Sequence, residues 1–369
     1  MKKVLIAMSG GVDSSVAACL MKKKGYDIIG VTMKLYDNND IYDNNNTYDS
    51  SGIYEASEKS CCSLSDAEDA RAVAHILHFP YYIFNFKANF KHQVIDRFIA
   101  AYENGETPNP CISCNRYLKF EELYRRASEL HCDCIATGHY AQIEENEGRY
   151  LLKKAADPQK DQSYVLYMLT QTQLAHTIFP LGDLTKTETR QIAEENGLLN
   201  ADKHESQDIC FVPDGDYASF IKRTTGKIYP EGDFVDTNGN ILGRHKGIIH
   251  YTIGQRRGLG LSLPAPLYVM KKDLANNRII LCTNEELFKK EMDVAKINWI
   301  TADEFTAPFR AEVKIRYSHK AAPATIIPDK TCAHVIFDEP QRAITDGQAA
   351  VFYHDSYVIG GGKIISAKD

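Results

Sequence analysis

Val4-Leu5-Ile6-Ala7-Met8, followed by Ser9-Gly10-Gly11-Val12-Asp13-Ser14-Ser15, decides the fold. The first five residues form an apolar run of strand length. A glycine pair ends it, and helical spacing follows over Ser15 to Lys24, with Gly25 just past a basic last turn. A buried strand, a tight turn over Ser9 to Ser14 and a helix make the first βα unit of a parallel sheet. The two glycines let the chain turn sharply and aim backbone N–H groups at an anion, and the helix N-terminus adds its dipole. That geometry suits a pyrophosphate. The loop lacks the Gly-Lys-Ser/Thr ending of triphosphate-hydrolysing loops, so activation with release of pyrophosphate fits it better. The plainer alternative is an ordinary strand-to-helix turn with Ser14 as N-cap.

Outward from this unit, Asp27 to Met33, Tyr81 to Phe86 and Cys134 to Thr137 read as strands. Helical spacing lies between them over Asp66 to His78 and Phe90 to Tyr102. The alternation predicts a doubly wound parallel α/β sheet, with ligands at the carboxyl ends of the strands near the switch in strand order, where the Ser9 loop lies. Residues 37–60, rich in Asn, Asp, Ser and Tyr, are expected to form a mobile insertion. After about residue 210 short strands take over at Val235, Gly247 to Thr252, Leu267 to Met270 and Arg278 to Cys282. Arg310 to Tyr317 alternates, with Ala311, Val313, Ile315 and Tyr317 on one face. With Ala333 to Phe337, Ala349 to Tyr353 and Tyr357 to Ile364 it predicts a small closed barrel. The expected organisation is an α/β nucleotide domain over 1–210, a small mixed central domain over 211–283 and a C-terminal β-barrel over 284–369.

A chain of 369 residues exceeds one ordinary core. Its 44% hydrophobic and 25% charged residues are those of a globular protein, and no apolar run approaches the roughly 20 residues of a membrane span. The apolar stretch before Ser9 is too short for a secretion signal and meets no cleavage site. Ten cysteines without such a signal point to a reducing, cytoplasmic setting and to packing, metal or sulfur chemistry. The net charge of −6 gives no global pull on a polyanion, so any nucleic-acid surface must be a local patch.

Thr107-Pro108-Asn109-Pro110-Cys111-Ile112-Ser113-Cys114-Asn115 is a proline-stiffened C-x-x-C before the basic helix Arg116 to Arg126. Such a pair serves as a zinc half-site, a redox dithiol, part of an iron–sulfur ligand set or a sulfur carrier, and spacing alone does not choose. A second zinc half-site is poorly supplied by Cys132-Asp133-Cys134, one residue too short, or by Cys61-Cys62. Ser206-Gln207-Asp208-Ile209-Cys210-Phe211 holds a lone cysteine that would ordinarily be packing, but here it has the company of Cys111 and Cys114.

These segments together resemble the tRNA-specific 2-thiouridylase family of the PP-loop ATP pyrophosphatase superfamily. The resemblance runs through SGGVDSS at Ser9 to Ser15, Met33, TPNPCISCN at Thr107 to Asn115, ATGHY at Ala136 to Tyr140, KDQSYVLY at Lys160 to Tyr167 and FPLG at Phe179 to Gly182. It continues with SQDICF at Ser206 to Phe211, HYTIGQRRGLG at His250 to Gly260, Arg316-Tyr317, FDEP at Phe337 to Pro340 and GQAAVFY at Gly347 to Tyr353. It implies ATP- and Mg2+-dependent 2-thiolation of the wobble uridine of tRNA, with sulfur from a donor relay protein. Adenylation turns the uracil O2 into a leaving group before sulfur attacks C2.

By the same resemblance Ser9, Gly10, Gly11, Val12, Asp13, Ser14 and Ser15 hold the pyrophosphate part of ATP, and Met33 and Gly138 touch the adenosine. Cys114 is the nucleophile and Cys210 carries the persulfide, the two being able to form a disulfide. Many members have Asp where this chain has Cys111, so Cys111, Cys114 and Cys210 also suit three corners of a [4Fe-4S] cluster, the reading the extra thiol favours. Asn109, Pro110, Cys111, His139, Lys160, Asp161, Gln162, Arg316, Tyr317 and Gln348 are implied at the tRNA. Arg116, Lys119, Arg125, Arg126, Arg256 and Arg257 are natural phosphate partners. Asp13 is expected to serve the Mg2+-pyrophosphate region or the loop's own hydrogen bonds. Rival readings are an adenylating synthetase with an ammonia or amino-acid nucleophile, which needs no cysteine set, and a non-catalytic tRNA-binding module, which needs no intact loop.

Overall fold

The computed structural model describes residues 1–36, 64–198, 200 and 209–368. The insertion expected at 37–60, Cys61-Cys62 and Ser206 to Asp208 lie outside the described residues. The chain divides into two compact units, Met1–Ile95 with Cys111–Gly215, and Asp96–Pro110 with Asp216–Asp369.

In the first unit the strands are β1 (Lys3–Ala7), β2 (Asp27–Lys34), β3 (Tyr81–Asn85), β4 (Cys134–Ala136), the hairpin β5 (Gln142–Asn146) and β6 (Arg149–Lys153), and β7 (Thr177–Ile178). Its helices are α1 (Val12–Lys23), α2 (Leu64–Ile76), α3 (Lys87–Phe90), α5 (Pro110–Ser113), which begins on the last residue of a second-unit segment, α6 (Leu123–Glu129), α7 (Ser163–Leu166), α8 (Gln171–Ala175) and α9 (Lys186–Glu195). Two wider π-helical stretches, Lys91–Ile95 and Cys114–Glu122, come directly after α3 and α5.

Strands β3, β2, β1, β4 and β7 pair in that order, all parallel. Val4, Leu5 and Ile6 are fully buried and Ile28 to Met33 almost so, as expected of strands covered on both faces. The sheet packs with Val16, Ala17, Met21, Ala70, Val73 and Leu181 into one core. Strand order reverses between β1 and β4. The loops after these two strands, Ser9 to Gly11 and Thr137 to Tyr140, therefore meet at the switch point where such sheets bind ligands.

The second unit begins with α4 (Asp96–Glu103), whose Phe98 packs on Tyr217 and Phe220 of α10 (Tyr217–Thr225) at 6.0 and 6.5 Å. Next comes a mixed sheet, built from β8 (Gly232–Val235), β9 (Ile241–His245), β10 (Tyr268–Asp273) and β11 (Arg278–Cys282), ordered β10-β11-β8-β9. The barrel strands are β12 (Phe288–Trp299), β13 (Phe309–Lys314), β14 (Ala322–Asp329), β15 (Cys332–Arg342), β16 (Ala349–His354) and β17 (Tyr357–Lys368). They pair antiparallel in the order β12-β15-β14-β13-β16-β17, and β17 returns to β12 to close the ring. Val294, Val313, Ile326, Val335, Phe337 and Phe352 fill it.

The fold is the α/β parallel sheet, small mixed sheet and C-terminal barrel read from the sequence, with local corrections. Helix α1 starts at Val12, three residues before the expected Ser15, and its N-cap is Gly11. Gly247 to Thr252 is not a strand. Ile248–His250 form a 3-10 turn there, entered at Gly247 with φ of 111°, outside strand geometry. The alternation from Arg310 breaks after Ile315: β13 ends at Lys314, Arg316 turns inward and Tyr317 is exposed.

Candidate active site

The loop after β1 is shaped by its own hydroxyls. Ser14 donates to the Gly11 carbonyl (3.0 Å) and accepts from the Ser9 N–H (3.1 Å), while the Ser15 hydroxyl donates to the same carbonyl (3.0 Å). Gly11 offers no side chain to cap α1. The first-turn N–H groups are thereby left for an external acceptor, which is what an anion-binding loop requires. Gly10 adopts φ of 74°, and a Cβ there would lie 2.3 Å from the Asp66 carbonyl oxygen, so only glycine fits. Asn200 donates to the Gly10 carbonyl (3.0 Å) and to the Ser15 hydroxyl (2.7 Å), locking the loop from a distant part of the chain. Its own Oδ1 is buried without a hydrogen-bond partner among the described residues.

The loop after β4 lies directly against this cradle. A Cβ on Gly138 would sit 2.8 Å from both the Asp13 carbonyl carbon and the Ser14 nitrogen. Gly138→Ala therefore forces backbone to move, and ATP affinity is expected to fall about 10- to 100-fold, read by equilibrium binding. An unchanged affinity would show that the two loops do not form one nucleotide site. Met33 is buried at the end of β2, where the Tyr81 hydroxyl donates to Thr32 (2.6 Å) and Thr32 to the Met8 carbonyl (2.7 Å).

Asp13 projects from the first turn of α1 into a polar knot. Its Oδ1 accepts from Lys186 Nζ at 2.6 Å and from the Tyr140 hydroxyl at 2.8 Å. Lys186 is the first residue of α9, whose Thr185 and Glu188 form a capping box, and its N–H is held by Asp157 (3.0 Å). The lysine absent from the loop is thus delivered from another helix. A cradle that a Cβ would fill, uncapped helix amides and a buried lysine together fit the phosphates of ATP. Mg2+ ordinarily rides on such phosphates with few protein ligands.

Several residues expected at the tRNA are turned inward. His139 is buried between Phe120 and Phe179, its ring 5.8 and 5.9 Å from theirs. It shares hydrogen bonds with Thr137 (2.7 Å) and Lys119 (3.3 Å). Burial first, and then the Lys119 charge, push its pKa well below the usual histidine value, so the ring is neutral at pH 7. Asp161 caps the N–H groups of Ala155 and Ser163 (3.1 Å each), and Gln162 accepts from the Tyr140 N–H (2.9 Å). Arg116 bonds the Met168 carbonyl, while Arg125 and Arg126 pair with Glu122 and Glu129 on their own helix surface. Exposed pairs of that kind exchange readily for a phosphate. In the second unit Arg316 donates to the carbonyls of Ile253 (3.2 Å) and Ala343 (2.9 Å), Tyr317 stands out beside Lys314, and Arg256 lines a cleft with Leu261 and Pro264.

Cys111 is exposed on α5, and Cys114, one helical turn on, is half-buried where the helix widens. Spacing of three residues puts both thiols on one face. Cys210 is half-buried, its carbonyl held by the Tyr36 hydroxyl (2.9 Å). The next residue, Phe211, is fully buried edge-on to Phe90 at 5.6 Å, and burying such a ring stabilises by about 2–3 kcal/mol. The π stretch after Phe90 packs against the one that Cys114 opens, so one aromatic knot anchors both cysteine segments. Cys114 and Cys210 are not joined in a disulfide in this structure.

The expected three-thiolate cluster is not assembled. Among the described residues no group of three or more His, Cys, Asp or Glu side chains is gathered closely enough to hold a metal ion. Cys111 is exposed on its helix, and Cys210 is anchored on a separate segment. Among the described cysteines, Cys132, Cys134 and Cys282 are buried packing residues, and burial raises all three thiols, Cys134 and Cys282 to about 11.

The family description "tRNA methyl transferase HUP domain" matches residues 2–214, "tRNA methyl transferase PRC-barrel domain" residues 218–283 and "Aminomethyltransferase beta-barrel domain" residues 289–364. A protein named tRNA-specific 2-thiouridylase MnmA from Clostridioides difficile is 51% identical over 367 residues, covering 98% of each chain. Its namesake from Clostridium kluyveri is 49% identical over 366 residues, covering 99% of each. The chain belongs to the tRNA-specific 2-thiouridylase family. A third member, from Acetivibrio thermocellus, is 48% identical over 98% of this chain.

For a member of this family, the residues that sequence motifs missed are Lys186, Asn200, Tyr36 and Phe90. Only Lys186 left a trace, as a basic residue in the first helical turn after FPLG, where acidic residues are the norm. Among the described residues no helix is long and apolar enough to cross a membrane.

Proposed function

We propose that this chain catalyses ATP-dependent 2-thiolation of the wobble uridine, position 34, of tRNA, giving 2-thiouridine, AMP and pyrophosphate. The observation that carries this reading is the pairing, in one unit, of a pyrophosphate cradle at the sheet's switch point with two anchored cysteine segments. The names of the relatives supply the tRNA uridine.

The uracil O2 attacks the α-phosphorus of ATP, and the bond to pyrophosphate breaks at the cradle made by Gly10, Gly11 and the α1 amides. Lys186 balances the charge that develops there. A persulfide on Cys210, loaded by a sulfur-donor relay protein, then bonds through its terminal sulfur to C2, and AMP leaves with the former O2. The Cys114 thiolate attacks the inner sulfur of Cys210, breaking the S–S bond. The base keeps C2=S, and the Cys114–Cys210 disulfide that forms must receive two electrons before the next turnover. Neutral His139 holds the Thr137 loop rather than moving a proton.

Methyl transfer, the word in the family descriptions, needs neither a pyrophosphate cradle nor a thiol pair. An adenylating synthetase with a nitrogen nucleophile would use the cradle and leave the cysteines idle. Mass analysis of tRNA nucleosides after incubation with ATP, Mg2+, a persulfide donor and a thiol reductant distinguishes these readings. The expected product is 2-thiouridine, formed with one AMP per base. Its absence under both anaerobic and aerobic conditions would overturn the assignment.

A further inference from the structure

The chain leading into the cysteine pair is held by barrel residues more than two hundred positions away. Thr107 gives both backbone groups to the turn between β15 and β16. Its N–H donates to the Asp346 carbonyl (2.9 Å), and its own carbonyl accepts from Gln348 Nε2 (2.8 Å). Gly347, between these two, has φ of 92° and lies so close that a Cβ would come within 2.7 Å of Glu106 Cβ and 2.9 Å of the Thr107 nitrogen. The Glu106 carboxylate in turn receives Lys363 of β17, at 2.7 Å to each oxygen.

The chain beyond Glu106 and Thr107 is stiff. Pro108 and Pro110 fix their own φ, and Thr107 and Asn109, each preceding a proline, are confined to extended backbone. Pro110 begins α5, so Cys111 is the next residue and Cys114 lies one turn beyond. Few soft dihedrals separate the clamp from Pro110, where the chain enters α5. The clamp and the segment it holds both lie in the second unit. The Glu106–Lys363 pair is about a third exposed, so its contribution to stability is small and its effect is to fix geometry.

We infer that Gln348 and Lys363 are positioning residues for the Cys111–Cys114 turn, acting through Thr107 and Glu106. What the turn does is taken from the function proposed above. How the turn is placed is independent of it.

The test uses the full chain with Gln348→Ala, Gln348→Glu, which keeps the size but removes the donor, Lys363→Met, and the exchange Glu106→Lys with Lys363→Glu. Three quantities are read: the rate of Cys114 alkylation by iodoacetamide, single-turnover thiolation at saturating tRNA, and the Kd for tRNA. Each single variant should change the alkylation rate about threefold or more and slow thiolation about tenfold, with Kd within about twofold. The charge exchange should restore both rates, which a loss of general stability would not allow. Unchanged alkylation and turnover in folded variants would overturn the inference. So would a defect confined to Kd, which would make Gln348 a tRNA contact. Should the wild type form no 2-thiouridine, the function fails while the alkylation rates still decide the clamp.

Discussion

Replacing Cys114 or Cys210 by serine is expected to lower 2-thiouridine formation by about a thousandfold or more, some 4 kcal/mol of lost transition-state stabilisation. Replacing both should be no worse than replacing one, because on the proposed route the two thiols act in a single relay and residues acting as a unit are not additive. Serine keeps the shape but forms no S–S bond. ATP consumption in the first turnover should survive, since the cradle is built from Ser9 to Ser15, Gly138, Asn200 and Lys186, none of which the substitutions touch. Single-turnover nucleoside analysis with parallel measurement of AMP separates the two halves. Cys111→Ser tests the three-thiolate alternative. Exposed, and unused by the proposed relay, it should cost about tenfold or less. A loss as deep as that of Cys114→Ser would bring the cluster back.

The strand–loop–helix unit at residues 4–24 was legible because its signals are local: an apolar run, a glycine pair and a helical period lie next to one another. The barrel was legible for a similar reason, through alternation in β13 and the apolar content of β15, β16 and β17. Illegible features depended on partners far along the chain. Ser14 looked like an N-cap from its neighbours, whereas the folded loop turns its hydroxyl back on Gly11 and makes Gly11 the cap. Asn200 completes the loop across 190 residues, and no local pattern announces it.

The π-helical stretches at 91–95 and 114–122 have no sequence signature, since widening the turn to i→i+5 hydrogen bonds is a response to packing and not to propensity. The residues tied to tRNA show the complementary limit. Motif resemblance marked His139, Asp161, Gln162, Arg316 and Gln348 but could not say which way the side chains point. In the fold each is engaged by internal hydrogen bonds.

Lys186→Met is expected to lower kcat/KM for AMP formation about 10²- to 10³-fold while leaving Cys114 alkylation and tRNA affinity unchanged. Breaking the bond to pyrophosphate builds negative charge on the leaving group, and a cation held out of water counters it far better than one in solvent. Loops ending in Gly-Lys-Ser/Thr place that cation within the loop. Here the same charge arrives 173 residues later, on the first turn of α9, with a side chain only 11% exposed and its Nζ 2.6 Å from Asp13. Asp13 holds the lysine at the first turn of α1 and Tyr140 holds Asp13, so the pair is in place before ATP enters. Because Asp13 is about a third exposed, losing the pair should cost the fold no more than about 1 kcal/mol, and the kinetic defect should appear in protein with a nearly unchanged Tm. Lys186→Arg keeps the charge but not the reach, and should fall between the two. An unaltered kcat/KM in Lys186→Met would mean that the α1 amides and Mg2+ carry the leaving-group charge without it.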